Sequence, residues 1–290
     1  MFRRFILVGV AVAALAMPAS AFASVQLGAF ANEPGGIATL QSDLSGHLTI
    51  DHHYAPWTYR AWASVTAADA QAGRIPLFSW SAAPTTTAAA IASGAQDTTI
   101  VAAAKALAAT GQTIYLRPFY EFDQPQGHPR YIGTPADVIT AWQRLVTLFR
   151  DNGATNVRFV WCPMSFDFAK GIAQKFWPGA SYVDYVAADG YNFPGRSLRT
   201  PDTIFDSAYT FAVSQGKPFF IAETATNSTD AGTGAWIESL GPWAAAHPDV
   251  AAIVYFDSIS PKKYDYRLIA YPQNLAAFDA LSVDGVFQGG

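Results

Sequence analysis

The sequence predicts an α/β protein folded as a single (β/α)8 TIM barrel. Three features carry this reading: strand-length apolar runs recur along the chain, each ends in polar or aromatic residues, and helical patterns alternate with them. The runs are Val25 to Phe30, Leu48 to Ile50, Ile75 to Trp80, Thr113 to Arg117, Val157 to Trp161, Tyr182 to Asp189, Pro218 to Glu223 and Ala251 to Asp257. Several lack apolar–polar alternation, as parallel strands covered on both faces do. Thr134-Pro135 opens a helix with an N-cap and a proline at its first position. Val138, Ile139, Trp142, Leu145, Val146 and Phe149 then recur at helical spacing until Gly153. Thr200-Pro201 opens another in the same way; Ile204, Phe205, Ala208 and Phe211 form its stripe and Gly216 ends it. Ile100, Ala103, Ala104 and Leu107 form a third, closed by Gly111. The Ala/Thr-rich stretch Ala82 to Ala95 lies between a strand and a helix and reads as a loop with a helical turn. A doubly wound sheet is the alternative, but Asn32 to Gly36, after the first strand, lacks G-x-G-x-x-G. A barrel builds its site at the C-terminal ends of its strands.

Residues 1–23 read as a signal peptide. Arg3 and Arg4 make a basic start, Phe5 to Leu15 an apolar run, and Ala19-Ser20-Ala21 or Ala21-Phe22-Ala23 a cleavage pattern. A membrane anchor is the other reading, but the run falls short of the roughly 20 residues a span requires. The expectation is a barrel domain over residues 24–290, secreted to the periplasm or the exterior. After signal-peptide removal it is expected to be monomeric and to have no membrane contact. Charged residues are only 14% and the net charge is -4, which argues against a nucleic-acid partner, since that requires a basic face. Aromatic residues reach 14%, with 8 Trp and 13 Tyr, which fits either a large aromatic core or rings exposed along a sugar groove. The single cysteine, Cys162, allows no intrachain disulfide and reads as a small buried hydrophobe in a strand.

Glu121 and Glu223 each end an apolar strand, where a barrel places its chemistry. Burying a carboxylate there is costly unless it is paired. A structural ion pair is one explanation. Two such glutamates embedded in aromatic residues also supply what glycosidic cleavage requires: one protonates the leaving oxygen, while the other attacks the anomeric carbon or activates water. Phe119, Tyr120 and Phe122 would desolvate the acid. Asp51, His52 and His53 suggest a metal, but neighbouring side chains on a strand face opposite ways. No metal and no cofactor are therefore expected. One histidine, His53, is the groove candidate and the other packs. Trp80 and Trp161 are either core or sugar-stacking residues. Asp189 either contacts a hydroxyl, orients Arg117 or is structural. Asn227-Ser228-Thr229 matches a glycosylation sequon. Neither G-x-S-x-G nor H-E-x-x-H is present, which leaves ester and amide hydrolysis unsupported.

Four segments between Gly28 and Asp257 resemble glycoside hydrolase family 26, a family mainly of β-mannanases with some mixed-linkage glucanases and xylanases. They are Arg117-Pro118-Phe119-Tyr120-Glu121, Val160-Trp161-Cys162-Pro163, Tyr182 to Asn192, and Lys217 to Thr224. Gly73 to Leu77 with Ser79-Trp80 resembles the family's third strand. The resemblance implies retaining, endo-acting hydrolysis of a β-linked polysaccharide or oligosaccharide, with Glu121 as acid/base and Glu223 as nucleophile. It implies that Tyr191 hydrogen-bonds Glu223; Arg117, Tyr120, Asp189 and Asn192 are expected at the substrate site, and strand position adds Trp161, His53 and Trp80. β-1,4-Mannan is the first substrate expected, with β-glucan and xylan behind it; exo-action or transglycosylation would use the same two glutamates. Tyr120 stands where the family usually has histidine, Phe122-Asp123-Gln124 replaces its Met-Asn-Gly, and tryptophans expected beyond Glu121 and at the end of strand eight are missing. These positions shape sugar subsites, so the reaction class carries over better than the substrate. A catalytically silent carbohydrate-binding barrel is the non-enzymatic alternative.

Overall fold

A computed structural model describes residues 24–226 and 232–288. The expected signal peptide and the sequon lie outside the described residues. Eight parallel strands close into one barrel in sequence order, and helices surround it. The strands are β1 (Gln26–Ala31), β2 (Ile50–Pro56), β3 (Ile75–Ser81), β4 (Ile114–Pro118), β5 (Val157–Trp161), β6 (Tyr185–Asn192), β7 (Phe219–Thr226) and β8 (Val250–Asp257). Closure is made by β1 against β8, in register from Gln26↔Ala252 to Ala31↔Asp257. Among the described residues, no helix is long and apolar enough to cross a membrane.

Alternation along the strands divides the apolar residues into two groups. Ile50, Leu77, Tyr115, Val160, Ala187, Phe220 and Ala252 come from seven strands yet pack together, so they fill the barrel lumen. The residues between them, such as Phe78, Leu116, Phe159 and Val186, face the helices and belong to the larger core. The helices form where their caps predict. Helix Pro135–Asp151 begins with a capping box in which Thr134 Oγ1 accepts from the Asp137 N–H and Asp137 Oδ2 accepts from the Thr134 N–H. Helix Pro201–Ser214 is capped by Thr200, and it buries Ile204, Phe205 and Ala208 against β6. Gly190 permits that approach, because a Cβ there would lie 2.5 Å from the Ile204 side chain and 2.7 Å from Phe205. The backbone on either side, carrying Asp189 and Tyr191, is thereby held close under the helix. The Ala82 to Ala95 stretch contains a short helix, Ala88–Ala92, capped by Thr87.

Three strands differ from expectation; the seventh runs on to Thr226, three residues past Glu223. The second runs through Asp51, His52, His53 and Tyr54 instead of stopping at Ile50. Its polar side chains find partners on both faces of the sheet, so polarity does not end it. The sixth starts at Tyr185 because Ala180–Tyr182 is a 3-10 turn, and the Asp184 carboxylate accepts the Phe159 N–H at 2.7 Å just before the strand pairs.

Candidate active site

Above the apolar lumen, the inward positions become polar. Tyr54 on β2, Ser79 on β3, Arg117 on β4, Cys162 after β5, Asp189 and Tyr191 on β6, and Glu223 on β7 meet there. Arg117 is the hub and is wholly buried. Its Nε donates to Ser79 Oγ at 2.8 Å, its Nη1 donates to both Asp189 oxygens at 2.6 and 2.8 Å, and its Nη2 donates to Glu223 Oε1. Ser79 thus accepts from Arg117, leaving its hydroxyl hydrogen for His52 Nε2, 2.6 Å away. Burial, reinforced by Arg117, holds the His52 pKa well below the ordinary range, so the ring is neutral and suited to accept.

Glu223 reaches the lumen through an irregularity. On β6 and β7, Ala188 pairs with Ile221 but Asp189 pairs with Glu223, so Ala222 has no partner. This extra residue turns Glu223 inward directly after the inward-facing Ala222. Tyr54 donates to Glu223 Oε1 at 2.7 Å and Tyr191 donates to Oε2. Burial pushes this carboxyl up, but Arg117 first, then Arg130 and the Tyr191 hydroxyl, bring it down to about 2. It is therefore an anion at neutral pH. Burial pushes Asp189 up to about 7, with Arg117 opposing and the Glu223 charge reinforcing. Burial likewise raises the Cys162 thiol, which donates to Asp189 Oδ1 at 3.2 Å.

Glu121 lies past the end of β4, 7% exposed, with φ 54°. Phe119 is also left-handed, at φ 60°. Each such conformation costs a non-glycine residue roughly 1–2 kcal/mol. The turn is fixed by the Phe119 N–H donating to Trp80 O at 3.0 Å and the Glu121 N–H donating to Cys162 O at 2.9 Å. It brings a Glu121 oxygen within 4.8 Å of oxygens from both Asp189 and Glu223. Arg130, from the loop after β4, pairs with Glu121 Oε2. The Tyr120 ring lies between β4 and this loop, with the Arg117 and Arg130 guanidinium carbons 4.7 and 4.9 Å from its centroid.

Of the residues expected at the site, Glu121, Glu223, Arg117, Tyr120, Asp189 and Tyr191 come together. Four others are corrected. Trp80 points outward and stacks on Trp57 at 4.2 Å. Trp161 also points outward, among Phe122, Phe168 and Trp177. Both are wholly buried in the barrel–helix layer, where no sugar can reach. Asn192 faces outward too, and its side chain binds the Arg199 N–H at 2.9 Å and Arg199 O at 3.2 Å, closing the loop after β6. His53 turns from the lumen to Asp69 of helix Trp62–Gln71, at 2.8 Å, with Asp51 at 3.6 Å. His52 is the histidine that faces the site. Tyr54, His52, Ser79 and Arg130 were not anticipated. Alternation from Ile50 would have found the first two; nothing periodic marks Arg130. Of the positions that depart from the family pattern, Phe122 is core against Trp142 and Trp161, and Asp123 accepts the Met164 N–H at 2.9 Å. Phe256, in the region of the missing second tryptophan, stacks on Phe30 at 5.3 Å.

Fold and site together define a (β/α)8 barrel with opposed glutamates, one just past β4 and one in the C-terminal half of β7. The family it resembles is glycoside hydrolase family 26. No family model matches the chain. The β-mannanase of that family from Bacteroides ovatus superposes with a TM-score of 0.66 at 13% identity, covering 91% of this chain and 89% of that one. The catalytic domain of a Bacillus endo-β-1,4-mannanase of the family gives 0.68 at 13% identity, covering 92% and 89%. A β-mannanase from a symbiotic protist of the termite Reticulitermes speratus, complexed with gluco-manno-oligosaccharide, gives 0.63 at 15% identity, covering 92% and 91%. At these identities the likeness is one of fold. In sequence, the chain is 32% identical over 200 residues to Endoglucanase H of Acetivibrio thermocellus, covering 65% of this chain and 22% of that protein. It is 28% identical over 131 residues to a mannan endo-1,4-β-mannosidase of Caldalkalibacillus mannanilyticus, covering 42% and 24%. The chain thus spans about a quarter or less of those two relatives.

Proposed function

We propose that this chain is a secreted, retaining endo-β-glycosidase that hydrolyses a β-linked polysaccharide. The observation that carries the reading is the Glu121–Glu223 pair, whose nearest oxygens lie within 4.8 Å. Retaining pairs stand about 5–5.5 Å apart, whereas inverting pairs leave roughly 6.5–9.5 Å for a water. Glu223, ionised and held by Tyr54, Tyr191 and Arg117, attacks the anomeric carbon. Glu121 protonates the departing oxygen, then removes a proton from the water that opens the glycosyl-enzyme. β-1,4-Mannan is the first substrate, in keeping with what the β-mannanases of the same fold are named for. A β-glucan is the second, favoured by the longer sequence match to an endoglucanase.

Proton NMR of the first-formed product tests the stereochemistry: retention is expected, and inversion refutes it. Glu223→Ala should abolish hydrolysis. Glu121→Ala should accumulate glycosyl-enzyme on an aryl glycoside, and azide should restore its turnover. A wild type that binds a panel of β-mannans, β-glucans and xylans but cleaves none of them would make this a binding barrel.

A further inference from the structure

Arg117 pairs with Glu223 and Arg130 with Glu121, but the two arginines are built differently. Arg117 has no exposure and is fixed by Ser79, Asp189 and Glu223. Arg130 comes from an irregular loop, and its side chain is 29% exposed while that of its partner Glu121 is 9% exposed. Its guanidinium carbon lies 4.9 Å from the Tyr120 ring and it feels the Glu223 charge, so it faces the same pocket from the solvent side. A guanidinium against a carboxylate favours the ionised form. The first step of glycosidic cleavage needs Glu121 protonated. Arg130 must therefore find another partner when substrate binds. A sugar hydroxyl offers no charge in exchange, whereas a carboxylate offers two oxygens that match the guanidinium fork.

We propose that Arg130 is a specificity residue that binds a carboxylate on the leaving-group side of the scissile bond, so that the preferred substrate is a β-linked glycan carrying uronic-acid units there. This rests on the glycosidase reading and narrows its substrate. Arg130 lies on the leaving-group side because its partner, Glu121, is the group that protonates the departing oxygen. The exchange fits both halves of the reaction. As Arg130 turns to the sugar carboxylate, Glu121 takes a proton from solvent. It passes that proton to the glycosidic oxygen as the C–O bond breaks and the bond from Glu223 to the anomeric carbon forms. Glu121 is then an anion again and competes for Arg130, which loosens the acidic leaving group. Ionised Glu121 is also the base that the second step requires.

The test compares β-1,4-mannan and β-glucan with the same polymers oxidised at C6 to carboxylates, using wild type, Arg130→Gln and Arg130→Lys, with thermal unfolding to check the fold. The wild type should prefer the oxidised polymer in kcat/KM by about tenfold or more, the scale of a hydrogen-bonded charge pair. Arg130→Gln should remove that preference and Arg130→Lys retain part of it. A parallel arm measures binding of neutral and uronic-acid oligosaccharides to Glu223→Ala, with and without Arg130→Gln. Cleavage of the neutral polymer in preference, or an acid preference that Arg130→Gln leaves unchanged, overturns the proposal and leaves the glycosidase reading standing. If neither polymer is cleaved but binding shows an Arg130-dependent preference for the acidic oligosaccharide, the glycosidase reading falls and anion recognition stands. If the binding arm shows no such preference, anion recognition falls as well.

Discussion

Arg117→Met should destabilise the protein more at neutral pH than in acid. The guanidinium is wholly buried and donates to Ser79, to both oxygens of Asp189 and to Glu223. Methionine matches much of the volume but leaves two buried carboxylates without their main counter-charge. Breaking a buried ion pair in this way costs about 3–5 kcal/mol. At roughly 2–4 °C per kcal/mol for a domain of this size, Tm should fall by roughly 6–20 °C. The pH dependence identifies the cause. In the wild type Glu223 titrates at about 2 in the fold against an ordinary 4.5. At roughly 1.4 kcal/mol per unit, that gap contributes about 3 kcal/mol. Because the folded pKa is depressed, this contribution is complete above pH 4.5 and is lost as pH falls through 2. In the variant, burial no longer meets Arg117, so Glu223 should titrate above 4.5 and its contribution should reverse. Asp189, already raised to about 7 with Arg117 opposing the rise, moves the same way. Urea unfolding at pH 7 and pH 4 should show the gap between wild type and variant narrow by about 2 kcal/mol in acid. An equal gap at both pH values would mean that Arg117 acts through packing alone. Turnover at pH 7 should also collapse, because Glu223, the proposed nucleophile, is no longer held as an anion.

Tyr54→Phe and Tyr191→Phe each remove one hydroxyl that donates to Glu223; each should lower turnover by roughly 10- to 100-fold with the fold intact, and unchanged turnover in either variant would dismiss that tyrosine. Trp161→Ala should cost about 3–5 kcal/mol of stability and leave the KM for polysaccharide unmoved, as suits a core residue packed 5.0 Å from Trp177 and 5.5 Å from Phe122; a raised KM with stability preserved would restore it to the sugar groove. Burial pushes Asp123 up to about 8, with the Met164 N–H opposing and Asp167 adding to it. A raised folded pKa means the wild type loses stability as pH rises from about 4 through 8. Asp123→Asn keeps an acceptor for Met164 and should flatten that decline in urea titrations between pH 5 and 9.

Most of the fold was legible because the barrel writes itself as short apolar runs and capped amphipathic helices. Thr134 and Thr200 cap where their prolines predict, and both glutamates lie past or near the ends of their strands. Strand ends are less legible where polarity reads as a stop. Asp51, His52, His53 and Tyr54 are polar because they approach the site on one face and helix Trp62–Gln71 on the other, yet they are strand throughout. Arg130 was not legible at all. Its loop has neither the period of a strand nor that of a helix, and only its contacts with Glu121 and the Tyr120 ring distinguish it from a solvated arginine.

Alternation explains the corrected residues and also where alternation fails. Arg117 has no counter-charge among the apolar residues facing the helices, so it must point into the lumen. Its register partner on β3 is Ser79, which therefore points inward as well and sends Trp80 outward. Counting from Ile50 on β2 places His52 and Tyr54 inward and His53 outward. Counting from Val160 on β5 places Cys162 inward and Trp161 outward. The same count on β7, from Phe220 through Ala222, would send Glu223 out among the helices. A strict two-residue period therefore rejects the nucleophile candidate, although its position at a strand end and its motif both point to it. The unpaired Ala222 resolves the conflict. One extra residue between the Ala188↔Ile221 and Asp189↔Glu223 pairings resets the phase of β7 at the residue where chemistry is required. The carboxylates of β6 and β7 then lie side by side under one arginine: burial pushes Asp189 up to about 7 against Arg117, while Arg117 brings Glu223 down to about 2.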